Sequence, residues 1–167
     1  MSISVFGQIK CNTEDFCLFE EIAFYLTSIA SSNKIGLNLN FNISQNSKNK
    51  CDFVKKNIIY FEMSDSPLSD NAEWLFIGKN LELPFCINGE YKKETFSYRM
   101  NKIQRFLNEI FYNKYILEVN MDINHLFGEP QLEFRIKPEE FVETMELAYS
   151  EEDFEPPIIR IIITPSP

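Results

Sequence analysis

Tyr115-Ile-Leu-Glu-Val-Asn-Met-Asp-Ile123 is the stretch whose reading decides the fold. Tyr115, Leu117, Val119, Met121 and Ile123 alternate with Ile116, Glu118, Asn120 and Asp122. A period of two places one row against a core and the other in water, which predicts a strand. After the Gly128-Glu129-Pro130 turn, Leu132, Phe134 and Ile136 alternate in the same way, and the two strands are expected to pair antiparallel. The segment before them changes period. From about Ser97 to Asn113, Met100, Ile103, Phe106, Leu107, Ile110 and Phe111 fall on one helical arc, with Lys102, Arg105 and Glu109 opposite. The segment after them changes period again. Pro138 starts a third helix, at a position where its missing N–H costs nothing.

Working back toward the N-terminus, the same two periods recur. Ile3 to Ile9 reads as a short strand. Asn12 or Thr13 is placed to cap a helix that carries Glu14 and Asp15 at its positive end. In that helix Phe16, Phe19, Ile22, Ala23, Leu26, Ile29 and Ala30 recur at three and four residues, up to the Ser31-Ser32-Asn33 break. Ile35, Leu37, Leu39, Phe41 and Ile43 then alternate with Gly36, Asn38, Asn40, Asn42 and Ser44. Ile58 to Met63 and Trp74 to Ile77 are two more strands. Asn88-Gly89 is a hairpin signal, because both residues tolerate positive φ. Beyond Pro156-Pro157, Ile158 to Ile163 lacks alternation and is expected to be a central strand covered on both faces. Strands that mostly neighbour one another in sequence, with few helices, predict an α+β fold. The expectation is one domain over residues 1–167, a mainly antiparallel sheet of about six to seven strands with three helices. Residues 164–167 are expected to be a frayed tail.

Composition narrows the function. The chain has 167 residues, 44% of them hydrophobic, with sixteen Phe and seven Tyr, a net charge of −9 and a pI near 4.7. Such a chain buries roughly 70% of its unfolded surface and needs no metal or disulfide to hold a core. A negative net charge repels phosphate backbones and anionic lipid, so neither nucleic acid nor membrane is an expected partner; the same field steers basic proteins inward. Cys11, Cys17, Cys51 and Cys86 contain no C-x-x-C pair and are expected to be reduced, packed thiols. The first ten residues are too short and polar for a secretion signal, which points to the cytosol.

Chemistry-bearing motifs are scarce. The five glycines form neither G-x-G-x-x-G nor a P-loop, and there is no G-x-S-x-G or H-E-x-x-H. The one histidine, His125, sits in a predicted turn, where a local hydrogen bond is the ordinary role. Glu118 and Asp122 share a strand face, but a face lined by asparagines is ordinarily just wet. No cofactor, metal ligand or catalytic residue is assigned.

The acid is concentrated instead. Between Pro138 and Pro157 stand Glu139, Glu140, Glu143, Glu146, Glu151, Glu152, Asp153 and Glu155, with no Lys or Arg among them. On a helix Glu139, Glu140, Glu143 and Glu146 span an arc of about 120°. Phe141, Val142, Met145, Ala148 and Tyr149 lie on the other side. Leu147 projects from the glutamate face. Helix-dipole and amphipathic patterning explain part of this acid. They do not explain the missing cations, since surfaces ordinarily mix signs. Glu139, Glu140, Glu143, Glu146, Leu147, Glu151, Glu152, Asp153, Phe154 and Glu155 are therefore the candidate partner-binding residues, with Leu147 and Phe154 as apolar anchors.

Three stretches carry a family resemblance. They are Arg99-Met-Asn-Lys-Ile-Gln-Arg-Phe-Leu-Asn-Glu-Ile-Phe111 running into Tyr115-Ile-Leu-Glu-Val119, Phe134-Arg-Ile-Lys-Pro-Glu-Glu-Phe-Val142, and Pro157-Ile-Ile-Arg-Ile-Ile-Ile163. In this layout the chain resembles the immunity proteins of bacterial polymorphic toxin systems, including contact-dependent growth inhibition. The resemblance implies a cytosolic inhibitor that covers the active or substrate-binding site of one cognate toxin domain, often a basic nuclease. It brings no catalytic residues and leaves oligomeric state open. A second likeness is to small acidic type III secretion chaperones, whose helix, three strands, helix, two strands, helix can be traced from Thr13 to Tyr149. Extra strands at both ends depart from that pattern. An enzyme centred on His125 or Glu118 is the third alternative.

Overall fold

A computed structural model describes residues 2–40, 57–64, 73–75, 86–87, 90–91, 95–124, 129–149 and 158–167. The chain is α+β, with a mostly antiparallel sheet and, among the described residues, three α-helices. The strands are β1 (Ser2–Cys11), β2 (Gly36–Asn40), β3 (Ile58–Ser64), β4 (Glu73–Leu75), β5 (Cys86–Ile87), β6 (Glu90–Tyr91), β7 (Ile116–Asn124), β8 (Leu132–Ile136) and β9 (Ile159–Ile163). The helices are α1 (Phe16–Ser32), α2 (Thr95–Ile110) and α3 (Phe141–Ala148), the last preceded by a 3-10 turn over Pro138–Glu140.

The main sheet runs β2-β3-β1-β7-β9-β8, with β4 extending the pairing of β1. The N-terminal strand is thus central, hydrogen-bonded to β3 on one side and β7 on the other. The expected hairpin exists as its own two-stranded sheet, Cys86 opposite Tyr91 and Ile87 opposite Glu90. The expected antiparallel pairing of β7 with β8 does not form. The last strand, β9, inserts between them, antiparallel to β7 and parallel to β8. A parallel pair needs a crossover, and α3 lies in it between β8 and β9. The isoleucines of β9 are buried on both faces: Ile159, Ile161 and Ile163 fully, Ile162 nearly so, as is Ile158 just before the strand.

One face of the sheet carries the core. Val5 and Ile9 of β1, Ile59, Phe61 and Met63 of β3, Val119, Met121 and Ile123 of β7 and the odd isoleucines of β9 join one cluster with all three helices. Phe19, Ile22, Leu26 and Ala30 enter it from α1, Met100, Ile103, Phe106, Leu107 and Ile110 from α2, and Phe141 and Met145 from α3. Helix α2 lies between the other two. Tyr25 donates its hydroxyl to the Glu109 carbonyl and Asn33 donates to the Glu109 carboxylate at 3.3 Å, tying α1 to α2. On the other flank the Val142 N–H donates to Gln104 Oε1 at 2.8 Å, so α2 caps α3. The outer edge of α2 departs from the expected pattern. Lys102, on the same helical edge as Glu109, is buried, and so is Arg99.

Two local details also differ from expectation. The cap of α1 is Asp15, whose carboxylate accepts from the Cys17 N–H at 2.8 Å; Thr13 accepts from the Asp15 N–H one step earlier. In β7 the alternation breaks at Leu117. The pairing with β1 shifts between Lys10 opposite Glu118 and Cys11 opposite Ile116. Leu117 is the extra residue of this bulge, so Ile116 takes the buried position and Leu117 stays 41% exposed.

Candidate functional site

The acidic segment begins where β8 ends. Lys137 is extended, Pro138 turns the chain, and Glu140 closes the turn: its carboxylate accepts from the Lys137 N–H at 2.8 Å and its own N–H donates to the Lys137 carbonyl at 3.0 Å. Phe141, Thr144, Met145 and Tyr149 face inward. Thr144 is held by donating its hydroxyl to the Glu140 carbonyl at 2.8 Å. Burial pushes the Tyr149 phenol well above its ordinary range, which keeps it neutral. The outward face is left to Glu139, Glu143 and Leu147, all exposed, with Glu146 half-buried beside them. Leu147 is 68% exposed, a large apolar side chain one turn beyond Glu143 on the same helix face.

The candidate residues do not all play one role. Glu140 caps its own turn. Glu139 accepts from the Ser166 hydroxyl at 2.6 Å, and this bond, with backbone help and nearby Lys137, holds its carboxyl below the usual carboxylate range. Glu143 and Glu146 have no hydrogen bond or ion pair among the described residues. The four candidates that point outward together are therefore Glu139, Glu143, Glu146 and Leu147. Glu151, Glu152, Asp153, Phe154 and Glu155 lie outside the described residues, as do His125 and the cluster of Lys48, Lys50, Lys55 and Lys56.

Lys137 stands just before the acidic run in sequence and, while close enough to Glu139 to act on its carboxyl, is hydrogen-bonded to the tail. Its ammonium donates to Thr164 Oγ1 at 2.9 Å and to the Pro165 carbonyl at 3.2 Å. The Thr164 N–H donates to the Ile136 carbonyl at 3.1 Å. The tail expected to fray thus makes contacts through Thr164, Pro165 and Ser166, and it runs beside the start of the acidic helix.

Among the described residues, no helix lies on the opposite face of the sheet. Register places Asn38, Glu62, Phe6, Asp122, Arg160 and Glu133 in one row across six strands. This is the face expected to be wet at Glu118 and Asp122, and it is so only in part: Ile58 and Ile162 are buried on it, and Glu118, Asn120 and Asp122 are half-buried. Asp122 is not available as a partner for Glu118: its carboxylate accepts from Arg160 Nε at 2.8 Å, and this bond raises the guanidinium above its ordinary value. Sequence patterning reads each strand's two faces but not which strands are neighbours, so the Asp122–Arg160 pair was invisible in it.

Of the thiols, Cys11 is buried and pushed up to about 12 by desolvation. Cys17 was expected to be packed but is exposed, because it falls on the outer face of α1 in its first turn. Among the described residues no three His, Cys, Asp or Glu side chains stand close enough to share a metal ion, and no helix is long and apolar enough to cross a membrane. No protein-family model, curated protein or solved structure matches the chain.

Proposed function

We propose that this chain is an immunity-type inhibitor that neutralises a cognate toxin domain by covering its active or substrate-binding site, and that it acts in the cytosol. The observation that carries the reading is the outward face of α3. Glu143 and Glu146 share that face with the exposed Leu147 and have no ion pair among the described residues, and Lys137, just before the run, is hydrogen-bonded to the tail. Carboxylates around an apolar anchor suit a basic, concave partner. The anchor is desolvated on binding while the charges set orientation and on-rate. A nuclease domain, built to hold phosphates, presents the complementary field.

The chaperone alternative is less well supported. Its pattern leaves the first and last strands of this chain as additions, yet β1 and β9 are inner strands of the sheet. Removing them would divide it. The enzyme alternative is weakened by the engagement of Asp122 with Arg160.

The deciding experiment is co-purification of the tagged chain from its native cell, followed by Glu143→Lys with Glu146→Lys. A single basic toxin fragment should be recovered, and the double reversal should weaken its binding by about 1.5–7 kcal/mol while the circular dichroism stays unchanged. Unchanged affinity would remove α3 from the interface. Recovery of an extended effector segment would replace the inhibitor with the chaperone.

A further inference from the structure

β8 is an edge strand with an uncommon symmetry in its residues. Among the described residues it pairs with β9 alone. Leu132 N–H donates to the Ile158 carbonyl, and the Ile136 carbonyl accepts from Thr164 N–H. In a parallel ladder the residues between such contacts face away. The N–H and C=O of Glu133 and Arg135 therefore point to the open edge. Their side chains lie together on the helix-free face, 3.7 Å apart, Arg135 75% and Glu133 51% exposed. The intervening Phe134 and its neighbours Leu132 and Ile136 face the core side without being fully covered, and Leu132 is 36% exposed.

We propose that β8 is a homodimer edge: a second copy of this chain pairs its own β8 antiparallel to the first, about a twofold axis at Phe134. This interface is independent of the toxin-binding reading. In that register Glu133 stands opposite Arg135 of the other copy, and Arg135 opposite its Glu133. These are the residues whose backbone groups face outward, so both pairs form as hydrogen-bonded pairs, with four backbone bonds in all. The helix-free face gains two cross-strand ion pairs. The core face gains Leu132 against Ile136, Phe134 against Phe134 and Ile136 against Leu132, an apolar row continuous with each core. A shift of the twofold axis by one residue in either direction would lose this match. It would set Glu133 against its own copy in one case and Arg135 against its own copy in the other, so the charge pattern selects the register. Unprotected edges invite pairing, and exposed charge is the usual defence. Here the charges are opposite in sign and spaced so that a twofold axis pairs them.

The test is sedimentation of the full chain across a concentration series into the high-micromolar range, with three variants. The chain should show a reversible monomer–dimer equilibrium. Arg135→Glu places like charges opposite one another twice and should raise the dimer dissociation constant at least about tenfold. The exchange Glu133→Arg with Arg135→Glu restores opposite charges across both pairs and should recover the dimer. Arg135→Pro removes only an outward N–H, a place where an edge strand tolerates proline, and should dissociate the dimer with the fold kept. A chain that stays monomeric throughout, or a dimer indifferent to Arg135→Glu and Arg135→Pro, overturns the proposal. A dimer lost in the single reversal but not recovered in the exchange overturns this register.

Discussion

At the scale of single residues, the tightest constraint is at the centre of the sheet. Gly7 lies in β1 between Val5 and Ile9, and a Cβ built there would stand 1.9 Å from the backbone carbonyl oxygen of Asn120 in β7. The obstacle is main chain, so no rotamer change relieves it. The pairing of β1 with β7 lies at the middle of the main sheet, where a local shift disturbs the core on both sides. Gly7→Ala should therefore destabilise the chain by about 2 kcal/mol or more, read as a lower urea midpoint with an unchanged slope. A midpoint within error of the parent would mean that β1 and β7 separate at this point in solution. Nothing in the alternating pattern of β1 announces this role, because a glycine on the core-facing row looks like any small residue in a strand.

Legibility changes at the scale of elements. Period located both long helices and the strands β2, β7 and β8, because the apolar residues of each recur on one face. It failed where an element's neighbours decide its faces. The pairing of β8 with β9 depends on a crossover, which no local pattern encodes. The burial of Lys102 depends on what packs around α2, and the exposure of Leu117 on a bulge set by β1. The acidic helix was legible as amphipathic, and Leu147 as its exposed apolar residue, but the diversion of Lys137 and Glu139 into the tail was not. That diversion is testable by pH. The carboxyl of Glu139 is held below its ordinary value of 4.5, first of all by Ser166. A depressed carboxylate contributes stability that is present above its unfolded pKa and lost as pH falls through the folded one. The Tm difference between the parent chain and Ser166→Ala should hold constant from neutral pH down to the ordinary carboxylate range and shrink as pH falls below it. A difference that persists undiminished in acid would assign the role of Ser166 to something other than Glu139.

At the scale of the whole molecule, charge and stability pull against each other. A net charge of −9 on 167 residues favours solubility and attraction of basic partners, and it works against compaction. Helix α3 concentrates that conflict. Glu143 and Glu146 are three apart on one helix, a spacing at which like charges repel. Glu143 sits in the first turn, where the helix dipole favours it, whereas Glu146 lies toward the C-terminal end, where the dipole opposes it and no basic residue stands. If acid is kept at this position for binding, its removal should help the fold and harm the function. Glu146→Lys relieves the repulsion, creates an opposite-charge pair with Glu143, and places a cation where the dipole favours one. It should raise stability by about 0.5–1 kcal/mol in urea unfolding at low ionic strength, with a smaller gain in molar salt. The same variant should associate more slowly with the basic partner, with the deficit shrinking as salt rises. A gain in stability with unchanged association would leave Glu146 as a residue the fold tolerates. A loss of stability would mean that the half-buried carboxylate supports the packing of α3 itself.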